Sequence, residues 1–318
     1  MHKQLLNEAI LDFTIIPVGP ILVKAGDTGA DPTRPDMEFV RTWRNAKEVA
    51  YLPGPSLKGV IRSHCERIAR TMGEGRSCNP VVKEASCVGK NGLKQEDDGP
   101  HVHSRSCFIC QMFGNTVLAG RVRTADAYPV NPDDIRTEER NGVAIDRVFG
   151  SVAVGPFQME VVTAGEFQTK IAIRNFTIAQ LGLLALALRD LQLGRVGVGF
   201  GKSRGLGHVT LEWRALTVRY TRPPQDKRRL DGVAYLLDAE AKTYGYLLDK
   251  PNGPYKFPLK FGYDAAAQDV SSPLPGLDLN ENDWGEWELA ATGKQVEDVW
   301  KSCIPAWKTA IRKERGVV

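Results

Sequence analysis

Long apolar runs are missing from this sequence. The longest, Leu181–Leu188, stops at Arg189, far short of the roughly 20 residues a bilayer-spanning helix needs, so no membrane partner is expected. A secretory leader is not expected either, because Glu8 and Asp12 interrupt any apolar stretch near the N-terminus. The reading is a cytoplasmic protein with reduced thiols. Charge of one sign is scarce: 42 Lys and Arg oppose 38 Asp and Glu, a formal +4. That excludes a uniformly basic coat, so any nucleic-acid partner requires segregated charge. No internal repeat is evident, which argues against a solenoid or propeller. A P-loop spacing is absent, and so is a glycine fingerprint leading from a strand into a helix.

What is present suits a folded protein. Apolar residues are 42% and charged residues 25%, enough for a packed core. Thirty-one Gly and 19 Pro indicate many turns. The 318 residues allow two domains on a soft prior of about 150 residues each. Charge is indeed segregated: residues 41–76 and 202–229 are basic, whereas 262–298 hold nine acids against Lys294.

Ile10–Val23 reads as a strand broken by Gly19-Pro20. Ser56 reads as the N-cap of a helix over 56–72, with Leu57, Val60, Ile61, Ile68 and Met72 at helical spacing. Residues 73–110 are polar and aperiodic. Residues 121–128 and 160–174 read as strands, separated by a protruding hairpin over about 129–157. Thr177 and Gln180 form a capping box opening a helix that ends near Gly194. Residues 209–220 form a further strand and 221–230 a linker. Without its insertions the order is βαββαβ, an α+β, ferredoxin-like (RNA-recognition-motif) core. The domains expected are 1–222, with insertion 73–115 and hairpin 129–157, and a C-terminal extension over 223–318.

Three constellations carry chemistry. Cys78-x8-Cys87-x19-Cys107-x2-Cys110 has the clustering of a closed structural Zn2+ site, with His101 and His103 as alternate ligands. Ion binding would supply the folding energy its polar loop lacks. The glycine run from Gly194 to Gly207 carries Lys202 and Arg204; it reads either as a phosphate-binding concavity or as a tightly turning connector. Finally, the turn at Tyr51–Pro55 delivers a helix start with Lys58 and Arg62 one turn apart, a spacing suited to successive phosphates.

Five collinear motifs over residues 10–220 resemble the RAMP superfamily of CRISPR-associated proteins. They are Leu52-Pro-Gly-Pro-Ser-Leu-Lys-Gly-Val-Ile-Arg62, Cys107-Phe-Ile-Cys-Gln-Met-Phe-Gly114, Gly120-Arg-Val-Arg-Thr-Ala-Asp126, Ile145-Asp-Arg-Val-Phe-Gly150, and the glycine run ending Ser203-Arg-Gly-Leu-Gly207. More narrowly, they resemble the backbone subunit (Csm/Cmr-type) of type III CRISPR effectors, with a zinc insertion similar to that of III-D and III-E-like members. The resemblance implies a palm holding crRNA through Ser56, Lys58, Gly59, Arg62, Arg121, Gly201, Lys202, Ser203 and Arg204. It implies a thumb, bearing Arg147 and Phe149, that wedges into the guide–target duplex. Target RNA would be cut at a flipped nucleotide by an aspartate, with Mg2+ as catalytic ion. The family motif maps onto Asp36-Met-Glu-Phe-Val-Arg41, without its proline; Asp31 and Asp27 in the same loop are alternates. Other effector subunits are implied partners. Two further readings stay open: a non-catalytic crRNA-binding or capping subunit, and a crRNA-processing endoribonuclease using a histidine, with His64 a candidate. The acidic extension, which carries Trp284, Trp287, Trp300 and Trp307, is expected to dock a neighbouring subunit.

Overall fold

β1 (Asn7–Pro17) alternates as a half-buried strand must, with Ala9, Leu11, Phe13 and Ile15 in the core. This computed structural model describes residues 5–26, 35–71, 77–97, 99–236 and 269–312. β1 runs antiparallel to β8 (Phe167–Arg174) on one side and β9 (Val209–Tyr220) on the other. β4 (Val122–Thr124) and β5 (Tyr128–Pro129) pair with the far side of β8. β11 (Trp287–Thr292) pairs with β9, and β10 (Asn280–Glu281) with β11. The main path is therefore β10-β11-β9-β1-β8-β4. The protein is a mixed α/β molecule built on antiparallel sheets.

α5 (Ile178–Gln192) begins with both halves of the expected capping box. It is apolar almost all round and buried, because it packs on β9, on α1 (Gly54–Thr71) and on α6 (Lys294–Arg312). α1 starts two residues before the expected Ser56. Asp126 accepts the Gly54 N–H at 2.7 Å, so the cap comes from a distant loop and Ser56 lies inside the first turn.

The expected single strand over 160–174 is two strands. β7 (Val152–Ala164) pairs with β6 (Arg136–Ile145) to make the hairpin, and β8 belongs to the main sheet. Gly165 divides them at φ +121°, a conformation closed to side-chain-bearing residues. A smaller ribbon, β2 (Arg41–Arg44) with β3 (Lys47–Ala50), turns through Asn45 and Ala46, both at positive φ.

The aperiodic region holds three short helices: α2 (Cys87–Asn91), α3 (Gly99–Arg105) and α4 (Phe108–Phe113). Each is too short to persist alone. The described part of the C-terminal extension does not stand apart from residues 1–222. β11 adds a strand to the main sheet, and Trp300 and Trp307 of α6 are buried. Trp307 meets Phe108 of α4 with ring centroids 5.5 Å apart. Of the tryptophans expected to dock a partner, Trp284 alone is fully displayed, at 90% exposure.

Candidate metal centre and nucleic-acid interface

Cys107 and Cys110 sit on the first turn of α4, where the Cys107 side chain accepts the Cys110 N–H as an N-cap. Cys87 opens α2 behind Ser86, which caps it through the Gly89 N–H. These two helix starts and the loop at Cys78 bring four Sγ atoms within 4.8 Å of one another. A metal bound at about 2.3 Å to four thiolates would place the sulfurs about 3.8 Å apart; the Cys78–Cys110 pair lies at 3.6 Å. Backbone N–H groups of Cys78 and Cys107 point at the Cys107 and Cys87 sulfurs at 3.4 and 3.1 Å, the support thiolate ligands use. All four cysteines are free thiols. Neighbouring S–H groups, Cys107 foremost, push the Cys78 thiol far below its ordinary pKa. The cluster fits a metal such as zinc. Neither alternate ligand joins it: the group comprises the cysteines only, and His103 Nε2 lies 3.0 Å from Arg121 Nη2.

Two arginines expected on the RNA surface turn inward instead. Arg62 donates to Glu66 (2.9 Å), to the Gly114 carbonyl (3.0 Å) and to Cys110 Sγ (3.8 Å). Its guanidinium thus ties α1 to the thiol cluster and offsets thiolate charge. Arg121 is 5% exposed. It donates to the carbonyls of Gln111 (2.8 Å) and Asn175, and burial lowers its pKa to about 10. Its side chain joins α4 to the end of β8 and offers nothing to an outside strand.

Lys58 behaves differently. It is half-buried and has no carboxylate partner among the described residues. Burial, then Arg62 and Arg123, lower its pKa, so it gains by meeting an anion. Gly59, one residue on, faces open space.

Asp36 lies against the middle of β7, halfway along the hairpin. Its Oδ2 accepts the Gln158 N–H at 2.8 Å. Met37 exchanges backbone hydrogen bonds with Gln158 and Glu160, both at 3.0 Å. Arg41 grips Glu160 through both guanidinium nitrogens. The Asp36 segment is thereby held as an added strand beside β7. The side chain is exposed, and no three-ligand metal group includes it among the described residues. Asp27 and Asp31 lie outside the described residues.

The glycine run ends at the same place. Gly199 and Gly207 have φ of +75° and +94°, and a Cβ there would stand 2.1 Å from the Leu22 carbonyl and 2.4 Å from that of Val198. These two glycines serve close backbone packing rather than approach to a ligand. The single turn between them, after Gly201, displays Lys202, Ser203 and Arg204, all exposed. Burial and then Arg67 lower the Lys202 pKa. The Arg204 guanidinium carbon lies 5.9 Å from both the Phe157 and Phe200 rings. Phe157 precedes Gln158, so the loop, the middle of β7 and Asp36 are neighbours. No local pattern in the sequence marks Phe157 or Phe200, because only tertiary packing brings them to Arg204.

At the hairpin tip, Asp146 accepts the N–H groups of Val148 and Phe149 at 2.7 and 2.8 Å. The turn so formed holds Arg147, Val148 and Phe149 out in solvent, Phe149 at 84% exposure. The remaining histidine candidate is tied down: His64 Nε2 sits 2.8 Å from Asp190, and Nδ1 is buried.

A mixed α/β protein with antiparallel sheets, a four-cysteine cluster in an insertion and an exposed hairpin is thus the class this fold defines. A family model for the RAMP superfamily matches residues 14–210, and the chain belongs to that superfamily. Membership is consistent with a CRISPR-associated RNA-binding subunit. No curated protein matches the chain. No described helix is long and apolar enough to cross a membrane.

Proposed function

We propose that this chain is a backbone subunit of a type III CRISPR ribonucleoprotein, of III-D/III-E-like kind, that holds crRNA and cuts the paired target RNA. The observation that carries this reading is the meeting of three separate segments: Asp36, the middle of β7 at Phe157-Gln158, and the Lys202–Arg204 turn. In this reading the β9-β1-β8-β4 order with α1 and α5 is a ferredoxin-like palm. Lys58, Lys202 and Arg204 bind guide phosphates, fixing the strand while its bases stay free to pair. The exposed Arg147–Phe149 tip separates a nucleotide from the duplex. The four cysteines hold a structural zinc, which supplies the folding energy of α2–α4 when bound.

Asp36 has one oxygen anchored by the Gln158 N–H, leaving Oδ1 to accept the 2′-hydroxyl proton of the displaced nucleotide. The 2′-oxygen then attacks the adjacent phosphorus in line, and the 5′-oxygen departs with a proton taken from water, leaving a 2′,3′-cyclic phosphate and a 5′-hydroxyl. Magnesium, implied by the family resemblance, finds no three-ligand set at Asp36 among the described residues, and no step is assigned to it. The test is an assembled complex carrying Asp36→Ala. Cleavage at the position this subunit covers should vanish while target binding persists. Cleavage that survives there would remove Asp36 as the catalyst and favour the non-catalytic crRNA-binding subunit.

A further inference from the structure

We infer a nucleobase-stacking site beside the N-terminal end of α1, formed by Arg44, Tyr128 and Tyr51. It rests on the RNA-binding reading above and adds a contact with a base to the contacts with phosphates. The Arg44 guanidinium carbon lies 4.1 Å above the Tyr128 ring centroid. Tyr51 and Tyr128 stack with centroids 5.8 Å apart and planes 15° from parallel. Two near-parallel rings thus lie with a guanidinium over one of them, and that guanidinium, Arg44, is exposed. No carboxylate pairs with Arg44 among the described residues, so its plane is not committed to an acid.

The column is held in place. Tyr128 donates its hydroxyl proton to Asp126 Oδ2 at 3.3 Å, and Asp126 Oδ1 takes the Gly54 N–H. That carboxylate fixes Tyr128 relative to α1. It also satisfies the helix start, which is therefore not itself the anion site. Lys58 stands four residues beyond Gly54, on the same helix face, about 6 Å along the axis at about 1.5 Å per residue. Lys58 offers a contact to phosphate and the exposed Arg44 a planar surface for a base, the two kinds of contact a nucleotide takes. Arginine planes and aromatic rings are the surfaces on which proteins stack unpaired bases. Stacking accepts any base, so the site would take a single-stranded nucleotide without sequence preference.

The test uses the full chain, an RNA oligonucleotide of mixed sequence, and an abasic ribose-phosphate oligomer of equal length. Wild type should bind the RNA roughly five- to tenfold more tightly than the abasic oligomer, the low end of the effect per stacked base because Arg44 is exposed. Arg44→Lys keeps the charge and loses the plane. It should close most of that gap while leaving the dependence of affinity on salt unchanged. Tyr128→Leu, which removes the ring beneath, should do the same; circular dichroism checks that both variants fold. A gap that persists in Arg44→Lys, or one absent from wild type, overturns the stacking site and leaves RNA binding standing. Failure of wild type to bind either oligomer in a salt-dependent way overturns both.

Discussion

Arg62 is where residue pattern and tertiary structure assign different jobs, and its replacement separates them. In Arg62→Gln the side chain loses its charge but keeps polar length. Three contacts are at stake: Glu66 at 2.9 Å, the Gly114 carbonyl at 3.0 Å and Cys110 Sγ at 3.8 Å. A unit charge 3.8 Å from a thiolate is worth about 4 kcal/mol at an effective dielectric of about 20. Retained hydrogen bonding and solvent at a side chain still 24% exposed reduce that figure. Groups that support metal ligands from behind typically change metal affinity about 10- to 100-fold when removed, or about 1.4 to 2.8 kcal/mol. Arg62→Gln should therefore weaken zinc by about that factor, measured by competition with a chromophoric chelator. RNA affinity, measured on the zinc-loaded variant, should move less than twofold. The reasoning fails if zinc affinity is unchanged and RNA affinity drops instead, for then the guanidinium serves a phosphate as the helix-face pattern suggested.

Two further outcomes concern stability. Asp126→Ala removes the cap on Gly54 and should cost about 1 kcal/mol, lowering the midpoint of thermal unfolding by a few degrees; an unchanged midpoint would show that solvent caps α1 equally well. Asp269 is fully buried and accepts the N–H groups of Ile178 and Ala234 at 2.7 and 3.0 Å. Burial raises its pKa from 3.8 to about 7. The folded chain therefore keeps a proton that the unfolded chain releases, and stability falls as pH rises from about 4 to 7, by up to about 4 kcal/mol. Asp269→Asn should flatten most of that slope in chemical denaturation; Asp231, raised to about 6, keeps a smaller fall of the same sign. A slope identical in the variant would refute the assignment.

Features written in short-range chemistry are legible in the sequence. Thr177 and Gln180 mark a helix start because both capping bonds join residues three apart. The Cys107-x2-Cys110 spacing wraps two thiols onto one helical turn, and the aperiodic loop before it needed an external staple. The alternation of β9 and the turn residues around the β6–β7 hairpin likewise declare themselves locally. Asp36 is marked only by the resemblance, since a lone aspartate in a turn has no pattern of its own.

Side-chain direction was not legible, and neither were partners distant in the chain. Arg62 and Arg121 look like surface cations in a basic stretch. Whether a guanidinium faces water or a carbonyl depends on what packs opposite, and here that is α4 and the end of β8. Asp126 caps a helix 72 residues earlier, a bond that exists only because β4 and β5 bring it there. The acidic tail reads as a separate docking piece, yet β11 completes the sheet because β9 offers an unpaired edge that only the assembled fold creates. Local propensity set the elements; the burial of apolar faces and the pairing of backbone groups across the chain decided which of their charges remain outside.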